Sequence, residues 1–161
     1  MHVSTDYVFD GGKREPYLEE DEPHPLSVYG ASKLAGERAV LGASASNLVV
    51  RVSWVFGPDR PSFLDAILER AVKGVDVVAV ADKWASPTYT RDAAKGLRAL
   101  MDADANGLVH FCNPGGCSWM EYGQHALECA RRAGVVVGAD RVRPIRMAEL
   151  AAFVARRPVY S

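Results

Sequence analysis

Apolar and polar positions alternate along the chain in blocks that change period. Residues 1–4 read as the end of a buried strand, followed by a polar and aromatic loop closed by Gly11-Gly12. Over 28–41 the apolar positions Ala31, Leu34, Ala35 and Ala39 recur at helical spacing behind a capping Ser27. Residues 47–53 are a short apolar run, predicted as a buried strand, and 63–73 an amphipathic helix stopped by Gly74. A strand over 75–80, a polar and aromatic loop over 81–89 and a helix over 90–101 follow. Then come a strand over 108–112, a turn over 113–116, a helix to about 133 capped by Ser118, and a short helix over 147–154. Strands alternating with helices predict an α/β unit with a largely parallel sheet.

Composition narrows the class. The 161 residues suffice for one domain with its own core, and 48% hydrophobic with 24% charged residues is the balance of a globular chain. A net charge of -1 gives no electrostatic case for nucleic acid or an anionic membrane. Cys112, Cys117 and Cys129 are odd in number and lack a C-x-x-C pair, which argues against a disulfide framework or zinc site and suits a reducing compartment. No run approaches the roughly 18 apolar residues of a membrane span. No signal-peptide pattern is visible, so the expectation is a cytoplasmic protein.

The chemistry-bearing stretch is Tyr29-Gly30-Ala31-Ser32-Lys33. Residues four apart share a helix face. A phenol is a poor proton donor near neutrality, with a pKa of about 10, and a neighbouring ammonium lowers it. Such a pair can protonate a carbonyl oxygen under reduction, although the same spacing also fits a plain surface pair. Thr5 and Asp6 fall just past a strand end, where α/β sheets bind ligands; Thr5 also fits a hydroxyl capping its own turn. Trp54 leaves the next strand end and fits either a ring-stacking ligand contact or core packing. The acidic loop with Glu15, Glu19, Glu20, Asp21 and Glu22 reads as a solvated face, and His24 between two prolines as exposed.

Taken together, Ser4-Thr5-Asp6-Tyr7-Val8-Phe9-Asp10-Gly11, Tyr29-Gly30-Ala31-Ser32-Lys33 with Gly36-Glu37, Arg51 to Gly57, Pro87-Thr88 and Arg157-Pro158 resemble the dTDP-4-dehydrorhamnose reductases, extended short-chain dehydrogenase/reductases. The resemblance covers the whole chain. It implies a partial doubly wound, Rossmann-like parallel sheet with a small C-terminal substrate-binding subdomain. The single unit spans 1–161, with substrate-binding elements mainly in 58–107 and 113–161. The implied reaction is reduction of a 4-keto group on a nucleotide-linked deoxysugar by NADP(H) or NAD(H). Thr5, Tyr29 and Lys33 would be catalytic, with Tyr29 the proton donor. Ser4, Tyr29, Lys33 and Ser53 would meet the cofactor. Thr5, Asp6, Tyr7, Val8, Trp54, Pro87, Thr88 and Arg157 would meet the sugar nucleotide. Tyr7 stands where related dehydratases carry an acid, which favours simple reduction. Epimerases of the superfamily usually carry serines in the stretch occupied by Ser4-Thr5-Asp6. Magnesium accompanies some family members, without ligands that map here, and no metal ligand is assigned.

The family's opening Gly-x-x-Gly-x-x-Gly turn, which receives the cofactor pyrophosphate, has no counterpart in this sequence. The expectation is therefore the C-terminal part of a reductase, with weak cofactor affinity. Its first strand would be an open edge that self-associates or pairs with a missing N-terminal half. A non-catalytic regulatory or binding module of the same fold family is the alternative.

Overall fold

The computed structural model describes residues 1–150 and 155–161. In chain order the elements are β1 (His2–Thr5), α1 (Val28–Ala43), β2 (Leu48–Val52), β3 (Val55–Phe56), α2 (Phe63–Val72), β4 (Val77–Val80), β5 (Trp84–Ala85) and β6 (Thr88–Tyr89). After these come α3 (Thr90–Asp102), β7 (Gly107–Phe111), β8 (Cys117–Ser118), α4 (Trp119–Arg132) and β9 (Val142–Ile145). Single 3-10 turns occupy Asp6–Val8 and Met147–Glu149.

The main sheet has the order β1-β2-β7 and is parallel throughout, with Val3 opposite Val50 and Val50 opposite Val109. Leu48, Val49 and Val50 are buried in succession, as expected of a parallel strand covered on both faces. The Ser27 hydroxyl accepts from the Gly30 N–H at 3.1 Å and starts α1. Helix α1 buries only Gly30, Leu34 and Glu37. Leu34 packs with Val8 and Phe9. A second core joins α2 and α4 to the parallel pair β4-β9 through Ile67, Ala71, Val77, Ala79, Leu127 and Val142. The parallel pair β3-β6 and the antiparallel pair β5-β8 tie the strand-end loops together.

Helix and strand positions follow the sequence pattern, with instructive differences. The strand after α2 starts at Val77, two residues late. Gly74 (φ 67) ends α2 in the left-handed region, and Val75 N–H returns to the Arg70 carbonyl at 3.0 Å. The sequence reading missed β9, because Arg143 and Pro144 interrupt its apolar pattern. Proline is tolerated there because, among the described residues, β9 pairs on one side only, with β4. Of the helix expected over 147–154, Met147–Glu149 form one 3-10 turn, and 151–154 lie outside the described residues.

One polar network crosses the main sheet. Glu37 and Arg51 are 2% and 5% exposed. Arg51 Nε and Nη2 donate to the two Glu37 oxygens at 3.0 and 2.7 Å. The Ser4 hydroxyl also donates to Glu37. Arg51 Nη1 lies 3.3 Å from His110 Nε2, so that nitrogen accepts, and Nδ1 carries the proton toward the Tyr17 carbonyl at 3.2 Å. Burial holds the His110 pKa below its ordinary value. The acidic loop is thereby more than a solvated face. Glu19 accepts from the His110 N–H at 2.7 Å and Asp21 pairs with Lys13 at 2.7 Å, while Glu15, Glu20 and Glu22 stay exposed.

Glu37→Ala strands the buried Arg51 charge and should cost ~3–5 kcal/mol in urea unfolding. Arg143→Ala removes an exposed ion pair with Asp76 and should leave the unfolding midpoint nearly unchanged.

Candidate active site

Two adjoining cavities open at the strand ends. The smaller, about 480 Å³, is walled by Thr5, Tyr7, Tyr29, Trp54, Lys83 and Arg157, among others. The larger, about 700 Å³, is walled by Ser53, Trp84, His110, Asn113 and Tyr160, among others, and shares Asp6 with the first.

The smaller cavity is built from the end of β1 outward. Thr5 Oγ1 accepts from the Tyr7 N–H at 3.3 Å and donates to Asp6 Oδ1 at 2.9 Å, so it both caps its turn and lines the cavity. The other Asp6 oxygen accepts from the Ser53 hydroxyl at 2.9 Å, which ties the end of β1 to the end of β2. Glycine is required at position 30, because a Cβ would lie 2.2 Å from the Tyr7 carbonyl oxygen. This close approach delivers Tyr29, in the first turn of α1, to the cavity wall with its ring edge-on to Tyr7 at 6.0 Å. Tyr29 is 55% exposed, so its phenol is open to solvent and ligand. Lys33 follows one turn later, but its Nζ donates to the Val3 carbonyl at 2.6 Å on the edge strand and it does not line the cavity.

The deep wall is cationic. Arg157 Nη1 donates to the Tyr7 hydroxyl at 3.1 Å, and burial raises the Tyr7 pKa against the lowering effect of Arg157. Tyr7 is therefore a neutral phenol. Lys83 is 2% exposed, with its Nζ 2.6 Å from the Pro158 carbonyl, 3.3 Å from Ser161 Oγ and 5.4 Å from the centre of the Tyr7 ring. Burial pushes its pKa down to about 8, opposed by Asp6. The carboxyl-terminal residues reach this wall across Gly11 (φ 74), where a Cβ would lie 2.5 Å from the Val159 nitrogen.

Sequence reasoning missed Lys83, because nothing in the pattern distinguishes a buried lysine in a polar loop from a surface one. It also missed Phe63 and Trp119, which line the cavity and pack against Trp54 with ring centres 5.7 and 5.6 Å away. Trp54 holds a left-handed backbone (φ 38) and serves both packing and cavity wall.

Other expected residues fall elsewhere. The Val8 side chain belongs to the core. Thr88 is buried with its hydroxyl on the Ser86 carbonyl at 3.3 Å, and neither it nor Pro87 lines these two cavities. Ser4 lines the smaller cavity with its hydroxyl on Glu37, and Ser53 lines the larger. His24 is exposed, as expected. Among the described residues no group of three His, Cys, Asp or Glu side chains is placed to hold a metal ion, and no helix is long and apolar enough to cross a membrane. The three cysteines are free thiols.

The Lys83 pKa has a measurable consequence. The folded chain releases this proton at about 8, against 10.5 for an unperturbed lysine. Between these values the unfolded chain binds more protons, so stability rises with pH in that window. Lys83→Met should abolish this rise in urea midpoints measured on either side of pH 8 and toward pH 10.5.

Comparison with known proteins places this geometry in a family. A family model described as the RmlD substrate binding domain matches residues 1–161. A dTDP-4-dehydrorhamnose reductase of Mycobacterium tuberculosis is 43% identical over 159 residues, covering 92% of this chain and 49% of the relative. A probable dTDP-4,6-dihydroxy-2-methyloxan-3-one 4-ketoreductase of Streptomyces antibioticus is 36% identical, covering 100% of this chain and 53% of the relative. The crystal structure of dTDP-4-dehydrorhamnose reductase from Bacillus anthracis in complex with NADP superposes with a TM-score of 0.86 at 34% identity, covering 99% of this chain and 53% of that one. The chain thus spans about half the length of the relatives it matches. With a family match over its whole length and a parallel, Rossmann-like α/β architecture, the chain belongs to the RmlD substrate-binding domain family.

Proposed function

We propose that this chain forms the substrate-binding part of an NAD(P)H-dependent reductase acting on the 4-keto group of a dTDP-linked deoxysugar such as dTDP-4-dehydrorhamnose. The observation that carries this reading is the convergence of Thr5, Tyr7 and Tyr29 on one cavity backed by Lys83 and Arg157. The relatives are named as reductases, which favours this reading over a non-catalytic module.

In this reading the Tyr29 phenol hands its proton to the carbonyl oxygen as negative charge develops there. The Thr5 hydroxyl is a second donor for the same oxygen once it turns from Asp6. The Lys83 and Arg157 cations favour an anionic substrate. Trp54, Phe63 and Trp119 offer an apolar wall that excludes water. Asp6 holds Ser53 and Thr5 in place.

The residues present suit only one end of a dinucleotide. Tyr29 lines the cavity with Lys33 one helical turn behind it, where a nicotinamide ribose would meet donors, Ser53 lines the adjoining cavity, and the Ser4 hydroxyl proton is committed to Glu37. When bound, the nicotinamide supplies hydride. Lys33 places one of its three N–H donors on the Val3 carbonyl, which anchors the ammonium and leaves two for the phenol or a ribose hydroxyl.

The same hydrogen bond bears on assembly. Among the described residues β1 pairs with β2 alone, and Lys33 holds the Val3 carbonyl of this edge strand. A lysine at an open edge blunts pairing. An added strand, from a nucleotide-binding half or a second copy, would pair with this edge. Sedimentation that shows a monomer at every practical concentration would remove the second copy as the partner.

NADPH titration calorimetry tests the cofactor assignment. Saturable binding should weaken in Lys33→Ala. Tyr29→Phe should retain binding and lose turnover of dTDP-4-dehydrorhamnose by ~10²-fold or more. No saturable binding by the unmodified chain would overturn the cofactor assignment for it.

A further inference from the structure

We propose that Glu37 is the positioning residue of this site, fixing where α1 presents Tyr29 and Lys33. The inference rests on the reading of Tyr29 as proton donor.

Tyr29, Lys33 and Glu37 follow at intervals of four and share one face of α1. That face is thinly apolar. Of the three residues that α1 buries, Gly30 has no side chain, Leu34 is the one large apolar group, and Glu37 is charged. A narrow apolar contact tolerates sliding and rotation of a helix, whereas a two-pronged guanidinium–carboxylate pair has one geometry.

The partners of Glu37 sit beside the site. Ser4 precedes Thr5 on β1, and Arg51 lies two residues before Ser53 at the end of β2. The clamp thus registers the three elements that carry Tyr29, Thr5 and Ser53 against one another. His110 extends the clamp to β7 through Arg51 at 3.3 Å. Stability alone does not account for such a pair, because well-packed apolar residues of similar volume usually serve a fold as well or better.

The test is the double variant Glu37→Met/Arg51→Met, with Glu37→Gln as a second variant that keeps the side-chain size. Urea unfolding reports the fold. The nuclear Overhauser contact between the Tyr7 and Tyr29 rings, whose centres are 6.0 Å apart, reports helix placement. The expected result is a folded double variant in which this contact is lost, with kcat down by roughly 10²-fold and KM little changed. An intact ring contact in either folded variant, with any loss of turnover tracking the urea midpoint, would overturn the proposal and leave Glu37 a stability element. If the unmodified chain binds NADPH saturably yet shows no turnover, the proton-donor reading fails by itself. The ring contact then still decides whether Glu37 places the helix.

Discussion

A carboxylate taken out of water costs several kcal/mol unless its oxygens are fully engaged. Glu37 meets that condition by joining parts of the chain that are far apart in sequence. Its oxygens take hydrogen bonds from β1 through Ser4 and from β2 through Arg51. Arg51 lies 4.9 Å from the centre of the Phe9 ring and reaches β7 at His110, whose neutral imidazole accepts from it. The loop before α1 is drawn into the same arrangement, because the Tyr17 carbonyl and the Glu19 carboxylate satisfy His110. Helix, strands and loop meet in one arrangement in which each polar group has its partner. The close approach of Gly30 to the Tyr7 carbonyl depends on that arrangement, and so does the placement of Tyr29.

A buried lysine and a half-buried arginine shape the cavity itself. Lys83 and Arg157 both face the Tyr7 ring, at 5.4 and 6.0 Å from its centre. They come from the middle and the last residues of the sequence, and the hydrogen bond from Lys83 to Pro158 binds those parts together. The desolvation that lowers the Lys83 pKa also makes its field stronger within the cavity than it would be in water. The lysine therefore closes the wall structurally and biases the cavity toward anions electrostatically.

The sequence made the helices readable because each carries its own punctuation: Ser27 and Ser118 as caps, Gly74 as a stop. It made Tyr29 and Thr5 readable as cavity-lining residues, because one stands in a first helical turn and the other at a strand end. It could not show Lys83, Phe63 or Trp119, whose roles arise only when remote segments meet. Strand β9 was hidden for a related reason. One-sided pairing lets Pro144 and exposed Arg143 stand in a strand, so alternation fails as a guide. Lys33 was found by spacing, yet spacing does not reveal that an edge carbonyl competes for its ammonium.

The acid–base inventory of the smaller cavity bears on which reaction it suits. Removing water from a sugar needs a carboxylic acid or similar donor free to protonate the leaving hydroxyl. Among the described residues Asp6 is the acidic side chain on the wall, and both of its oxygens already accept hydrogen bonds, from Thr5 and from Ser53. The next position is Tyr7, a phenol made less acidic by burial and held by Arg157. Tyr29 is left as the half-exposed donor at the rim. Tyr29, and the Thr5 hydroxyl once it turns from Asp6, are thus the hydroxyl donors of this wall, while Asp6 is committed to holding Thr5 and Ser53 in place.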